Sequence, residues 1–326
     1  MPISRRTALR RLGAFGLPAG LVIAAHDSLA ATADGGLRFR GAAAPELRSA
    51  SGHIRLNRNE SAYGPSAAVL AAMREAASGA VSRYPDMEAD ALRRKIAVAH
   101  RVAPEQVVLG CGSSEILRSA IEVFAGPRRK IVVALPVFES IYGWAQRAGV
   151  QVVGVPVDRE YGHDANAMLA RIDADTSLVY ICNPHNPTGR VTRRADLDAF
   201  LRRLPASVAV LIDEAYHHYV GQSSEYSSFI DTPFDSGGQG GARGGSVGSR
   251  VIVTRSFSKI YGLAGLRVGY AVTSAQTASA LAPQQLSDGI NAVRELLRRG
   301  QRSQRLTTPS TCGRASGGTP TTGRSS

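Results

Sequence analysis

Cysteine is scarce in this sequence. Cys111, Cys182 and Cys312 show no metal-ligand spacing and their odd number leaves one unpaired, which argues against a disulfide framework or a cysteine-bound metal. Cys111 and Cys182 stand at the ends of apolar runs, where small buried hydrophobes are expected. Long apolar runs are missing as well. The stretch from Leu12 to Ala25 is about fourteen residues long against the ~20 that cross a bilayer, so no stable membrane anchor is expected. No internal repeat is found. Acidic residues are the scarcer sign, 26 against 39 Lys and Arg, for a net charge of +13. The excess sits at the ends, with four arginines against one aspartate in residues 1–33 and seven arginines against one glutamate in 290–326. About nine of the thirteen charges thus lie outside the middle, and no nucleic-acid partner is expected.

What is present is enough for a sizeable core: 326 residues, 44% of them hydrophobic, a length that suggests about two domains. From Gln106 onward short apolar runs recur at Gln106–Leu109, Ile131–Leu135, Val150–Val155, Leu178–Cys182, Val208–Ile212, Val251–Thr254 and Leu266–Val272. Amphipathic stretches lie between them, such as Glu115–Phe124, where Ile116, Leu117, Ala120, Ile121 and Phe124 share a helical face. Further helices are expected at about Ser66–Ala77 and Asp90–His100. This alternation predicts an α/β fold with a mainly parallel central sheet and helices on both faces. The Gly-rich stretch 236–249 reads as a mobile loop or an insertion.

In such sheets ligands bind outside the carboxyl ends of the strands, and that is where the polar clusters fall. Gly110-Cys111-Gly112-Ser113-Ser114-Glu115 follows the first run. A Gly-rich turn opening a helix suits an anion, although a Gly-Ser turn without a ligand fits the same residues. Asn183-Pro184-His185-Asn186-Pro187-Thr188-Gly189 follows the fourth run and Asp213-Glu214-Ala215-Tyr216 the fifth, where Asp213 reads equally as a helix cap. Arg255-Ser256-Phe257-Ser258-Lys259 follows the sixth. A lysine there becomes a nucleophile if its ammonium is destabilised, and is otherwise a solvated loop residue.

Taken together, Asn186-Pro187-Thr188-Gly189, Asp213-Glu214-Ala215-Tyr216, Ser256-Phe257-Ser258-Lys259 and Gly262-Leu263-Ala264-Gly265-Leu266-Arg267-Val268-Gly269-Tyr270 resemble, in order and spacing, the fold-type I pyridoxal-phosphate-dependent aminotransferases. Leu56-Asn57-Arg58-Asn59-Glu60-Ser61-Ala62-Tyr63-Gly64-Pro65, Arg83-Tyr84-Pro85-Asp86 and Gly112-Ser113-Ser114-Glu115 make it most similar to the histidinol-phosphate aminotransferases. The resemblance covers about residues 54–275. It implies pyridoxal 5'-phosphate as cofactor, Lys259 as the Schiff-base lysine and proton shuttle, and Asp213 as partner of the ring nitrogen. It places Asn186 and Tyr216 at the ring's phenolic oxygen, Phe138 against the ring face, and Ser113, Ser114, Ser256, Ser258 and Arg267 at the phosphate. Tyr84 would reach the phosphate, and Tyr63 the substrate, from the second subunit of a homodimer. His185 reads as structural, and no metal is implied.

The chain departs from that family towards its end. The composition turns to Arg, Ser, Thr and Gly after about Asp288, which leads us to expect a truncated or frameshifted frame with no match for the family's substrate-carboxylate arginine. The expected layout is a twin-arginine signal over 1–33 (Arg5-Arg6, an apolar stretch, small residues near Ala30), an arm over 34–64, a cofactor-binding domain over 65–275, a small-domain remnant over 276–299 and a disordered tail over 300–326. That signal implies export to the periplasm or the cell exterior, with the cytoplasm as the location if it is not used. The expected activity is transamination between an amino donor and a 2-oxo acid; the alternatives are decarboxylase or lyase chemistry on the same fold, or an inactive fragment.

Overall fold

The computed structural model describes residues 57–79, 84–220, 223–231, 250–286 and 289–290. The expected signal, the Gly-rich stretch 236–249 and the tail 300–326 lie outside the described residues. The chain divides between Asn57 and Arg58, and the sheet and its helices all belong to the unit from Arg58 on.

All seven apolar runs form strands: β1 (Val107–Cys111), β2 (Lys130–Leu135), β3 (Gln151–Pro156), β4 (Thr176–Cys182), β5 (Ala209–Asp213), β6 (Val251–Ser256) and β7 (Val268–Val272). They build one sheet in the order β1-β7-β6-β5-β4-β2-β3. Only β7 runs against its neighbours, pairing antiparallel with both β1 and β6. The carboxyl ends of β1, β2, β4, β5 and β6 therefore share one edge with the beginning of β7.

Alternation along each strand feeds two cores. Leu109, Val132, Val179, Val210 and Val253 join one cluster with residues of helices α1 (Ala67–Gly79), α2 (Asp86–His100), α5 (Ala165–Leu169) and α6 (Arg194–Arg203). Val108, Val133, Tyr180, Leu211 and Ile252 join the other with α3 (Ser113–Ala120), α4 (Ser140–Arg147) and α7 (Ala275–Leu281). Both faces are thus covered, as a mainly parallel sheet requires. Fully burying an aliphatic side chain such as Ile131 or Leu211 is worth roughly 1.5–3 kcal/mol, which is why the strands read as near-continuous apolar runs.

Three details differ from expectation. The helix expected over Glu115–Phe124 is α3 followed by a π turn at Ile121–Ala125, because the apolar face tolerates either winding. Helix α2 begins four residues early, at Asp86, with Asp86 and Glu88 favourably placed in its first turn. Cys111 is only half-buried, since β1 ends at the open edge; Cys182 is buried as expected.

Candidate active site

The edge shared by the strand ends gathers the predicted residues by register. Cys182 of β4 stands opposite Asp213 of β5, and Asp213 opposite Thr254 of β6. Ser256 of β6 stands opposite Gly269 of β7, and Val268 opposite Cys111 of β1. Lys259 leaves β6 and Arg267 enters β7 at that edge, beside the turn Gly112-Ser113.

Asp213 is buried and, among the described residues, bonded only to neutral donors. Tyr180 Oη donates to Oδ2 at 3.0 Å, while Thr254 Oγ1 at 3.2 Å and the Ala215 N–H at 3.1 Å donate to Oδ1. Burial pushes its carboxyl upward, and these donors together with the Lys259 charge act in the other direction. A buried carboxylate without a contacting cation of its own is suited to a cationic ligand group.

Lys259 is half-buried. Its Nζ donates to the Arg58 carbonyl at 2.9 Å and stands 5.6 Å from the centre of the Tyr216 ring. Burial and then the like charge of Arg267 outweigh Asp213 and Glu60, so the amine deprotonates below the ordinary lysine range. Tyr216 Oη accepts from Asn59 Nδ2 at 3.0 Å, and burial raises that phenol. The segment carrying Lys259 lies close against the N-terminal stretch: Gly262, at φ +68°, touches the backbone of Gly64 and Pro65, where a β-carbon would not fit.

The anion cradle is built by close approach. Gly269 brings β7 so near the Gly112-Ser113 backbone that a methyl group would overlap Ser113. The Arg267 guanidinium lies over Gly112, itself at φ +73° and so open to glycine above other residues. Arg267 Nη1 donates to Ser258 Oγ at 3.1 Å and to the Ala264 carbonyl at 3.2 Å, and no carboxylate among the described residues pairs with it. Ser256 Oγ accepts the Ser258 N–H at 3.0 Å. Ser113 and Ser114 open α3, where Glu115 accepts the Cys111 N–H at 2.6 Å and the Leu286 N–H at 2.8 Å and holds the turn shut. A guanidinium, hydroxyls and a helix N-terminus thus meet at the turn after β1, donor groups that suit an anion.

Phe138, beyond β2, packs edge-on to Trp144 with centroids 5.9 Å apart, at the rim of the same cluster as Tyr216. Asn186 is half-buried, and its side chain makes no hydrogen bond among the described residues. His185 is buried and structural, bonded to Thr188 Oγ1 at 2.9 Å and edge-on to His163. Tyr84 and Tyr63 are 77% and 96% exposed, and neither side chain hydrogen-bonds a group of the site among the described residues. Sequence reasoning missed Tyr180, Thr254 and Asn59. The alternation of Tyr180 and Cys182 along β4 was visible, but the register that sets them beside Asp213 was not. A separate cavity of about 520 Å³, lined by Arg93, Pro104, Val107, Ala278 and Gln285 among others, lies by the beginning of β1 and holds none of these groups.

A parallel α/β sheet presenting a buried carboxylate, a destabilised lysine and an anion cradle along one edge defines a class of group-transfer scaffold. The aminotransferase class I and II family model matches residues 51–312, and the chain belongs to that family. It is 37% identical over 243 residues to an aromatic amino acid aminotransferase of Rhodococcus jostii (strain RHA1), covering 74% of this chain and 63% of that protein. It is 41% identical over 219 residues to a histidinol-phosphate aminotransferase of Moorella thermoacetica (strain ATCC 39073 / JCM 9320), covering 67% of this chain and 53% of that one. The chain thus spans less than two thirds of either relative. Among solved structures, histidinol-phosphate aminotransferase from Sinorhizobium meliloti in complex with pyridoxal-5'-phosphate matches with a TM-score of 0.66 and 27% identity, over 76% of this chain and 65% of that one.

Proposed function

We propose that this chain is an aminotransferase that uses pyridoxal 5'-phosphate to move an amino group between an amino donor and a 2-oxo acid. The observation that carries the reading is the juxtaposition of Lys259, with its depressed amine, buried Asp213 and Arg267 on one sheet edge. The residues fit the cofactor group by group: Arg267, Ser113, Ser114, Ser256 and Ser258 suit the phosphate, Asp213 a protonated ring nitrogen, Asn186 and Tyr216 the phenolic oxygen, and Phe138 the ring face. Bound there, the cofactor supplies an electron sink for charge developing at the substrate α-carbon.

The side chains do the rest. Lys259, its amine lowered chiefly by burial, can accept a proton at Nζ and then return it, while Asp213, held by Tyr180 and Thr254, presents its carboxyl group to the same site. Tyr216, tethered by Asn59, orients its hydroxyl instead of swinging into solvent. The aromatic and histidinol-phosphate relatives point to amino donors with a ring-bearing side chain. The exposure of Tyr63 and Tyr84 supports a homodimer in which each reaches the partner's site. The twin-arginine leader supports export, to be tested by fractionation of cells expressing Arg5→Lys/Arg6→Lys.

The deciding experiment incubates the full chain with pyridoxal phosphate, reduces with borohydride and maps the adduct by mass spectrometry. A single adduct on Lys259, absent from Lys259→Ala, is expected; folded protein without it overturns the proposal. A screen of aromatic amino acids and histidinol phosphate with 2-oxo acids then assigns the donor.

A further inference from the structure

Behind the site, on the face of the sheet away from Tyr180, lies a buried ion pair that contacts none of the groups facing the cofactor place. Glu214 directly follows Asp213, and Arg255 directly precedes Ser256. Both are essentially fully buried, at 0% and 2% exposure, and Arg255 Nε donates to Glu214 Oε2 at 2.7 Å. Tyr226 Oη (2.6 Å) and Ser228 Oγ (2.7 Å) donate to the same carboxylate. Arg255 Nη1 donates to His218 Nε2 at 2.9 Å, and the His218 ring packs edge-on against Tyr261, whose hydroxyl is 3.4 Å from that nitrogen. Arg255 Nη2 faces Asp231 at 3.9 Å, and His100 bridges Asp231 (3.1 Å) to Tyr270 Oη (2.9 Å).

One guanidinium therefore holds both active segments. Through Glu214 and His218 it grips the stretch bearing Asp213 and Tyr216; Arg255 itself precedes Lys259 in the chain, and His218 in turn packs against Tyr261 just after it. A buried pair is no more stabilising than well-packed apolar residues of similar volume, so stability alone does not account for it. A forked, directional contact fixes geometry, which apolar packing does less sharply. We infer that Glu214 and Arg255 are positioning residues that set, from the opposite face of the sheet, where the Lys259 amine stands relative to Asp213. The inference rests on the reading of Lys259 and Asp213 as the working pair, and it concerns this chain's own groups whether or not cofactor is present.

The chain has only three lysines, Lys95, Lys130 and Lys259, so amine reactivity reads the geometry directly. Cofactor-free full chain is labelled with trace acetic anhydride over a range of pH, and acetylation at Lys259 is measured against Lys130 in the same sample. The test variant is the neutral pair Glu214→Gln/Arg255→Met, which leaves no lone buried charge. If the amine is held by the pair, releasing it lets Lys259 solvate, its titration moves towards that of ordinary lysine, and labelling near neutral pH slows about threefold or more relative to Lys130. A folded pair variant, checked by circular dichroism, with an unchanged Lys259 profile overturns the inference. Should that variant not fold, Arg255→Lys keeps the charge and loses the fork to His218; a shifted profile supports positioning and an unshifted one overturns it. Borohydride trapping on the wild-type chain judges the cofactor reading separately, so the two failures are distinguishable.

Discussion

Lys259 and Asp213 influence each other across the site, and the sign of that influence is testable. Burial and Arg267 lower the Lys259 amine, and Asp213 opposes them. Lys130 is raised, because Asp173 accepts from its Nζ. Lys259 should therefore acetylate with a titration midpoint below that of Lys130 in the same chain. Replacing Asp213 with Asn removes a charge that favours the ammonium, so the midpoint should fall further and labelling near neutral pH should quicken about threefold. That is opposite in direction to the change expected for the Glu214/Arg255 pair. Equal or slower labelling of Asp213→Asn would show that the carboxylate does not act on the amine. Asp213, Lys259 and Arg267 were legible in the sequence because each sits in a short motif at a fixed distance from a strand end. Tyr180 was not, because a tyrosine inside an apolar run declares neither its face nor its neighbour until the pairing of β4 with β5 is known.

The anion cradle depends on how closely β7 approaches the turn after β1, and Gly269 is the residue that allows it. A methyl group at Gly269 would overlap the Ser113 backbone, which cannot move aside as a flexible side-chain tip could. Gly269→Ala should cost about 1–3 kcal/mol of stability, the usual range for overpacking, and should weaken pyridoxal-phosphate binding by prising Arg267 from Gly112 and the serines. Thermal denaturation and a fluorescence titration would check both. An unchanged midpoint and an unchanged affinity would mean that the strand accommodates the methyl group and the cradle does not rest on this contact. Every strand was visible as an apolar run, since a sheet covered on both faces leaves few polar positions in its strands. The single reversed strand was not, because β7 reads as apolar as its parallel neighbours and its direction follows from the short connection through Lys259 to Arg267. The same limit hid the π turn, whose residues Ile121–Ala125 continue the apolar face of α3 without a change of spacing.

At the scale of the whole molecule, Tyr63 and Tyr84 are the residues expected to act on a second copy. Both tyrosines are exposed, and Met87, three residues after Tyr84, is 80% exposed. Exposed large apolar side chains are what a symmetric contact buries, and a twofold contact would give each copy the other's tyrosines. Their family motifs were readable in the sequence; their exposure was not, since no periodicity tells which copy a side chain serves. Mixing two defective variants separates the cases. Lys259→Ala lacks the amine and Tyr84→Ala lacks the reaching phenol, so neither alone should hold cofactor tightly. If Tyr84 crosses to the partner, a hybrid dimer carries one intact site, assembled from the Lys259 of one copy and the Tyr84 of the other. Random re-pairing of equal amounts makes about half the dimers hybrid, each with one of its two sites whole, so tight binding should recover to about a quarter of the wild-type capacity. If Tyr84 serves its own chain, or none, mixing recovers nothing. Because co-purification through a tag carried by only one variant reports whether hybrids form at all, a failure to recover in a sample that is dimeric and mixed would count against the shared site itself.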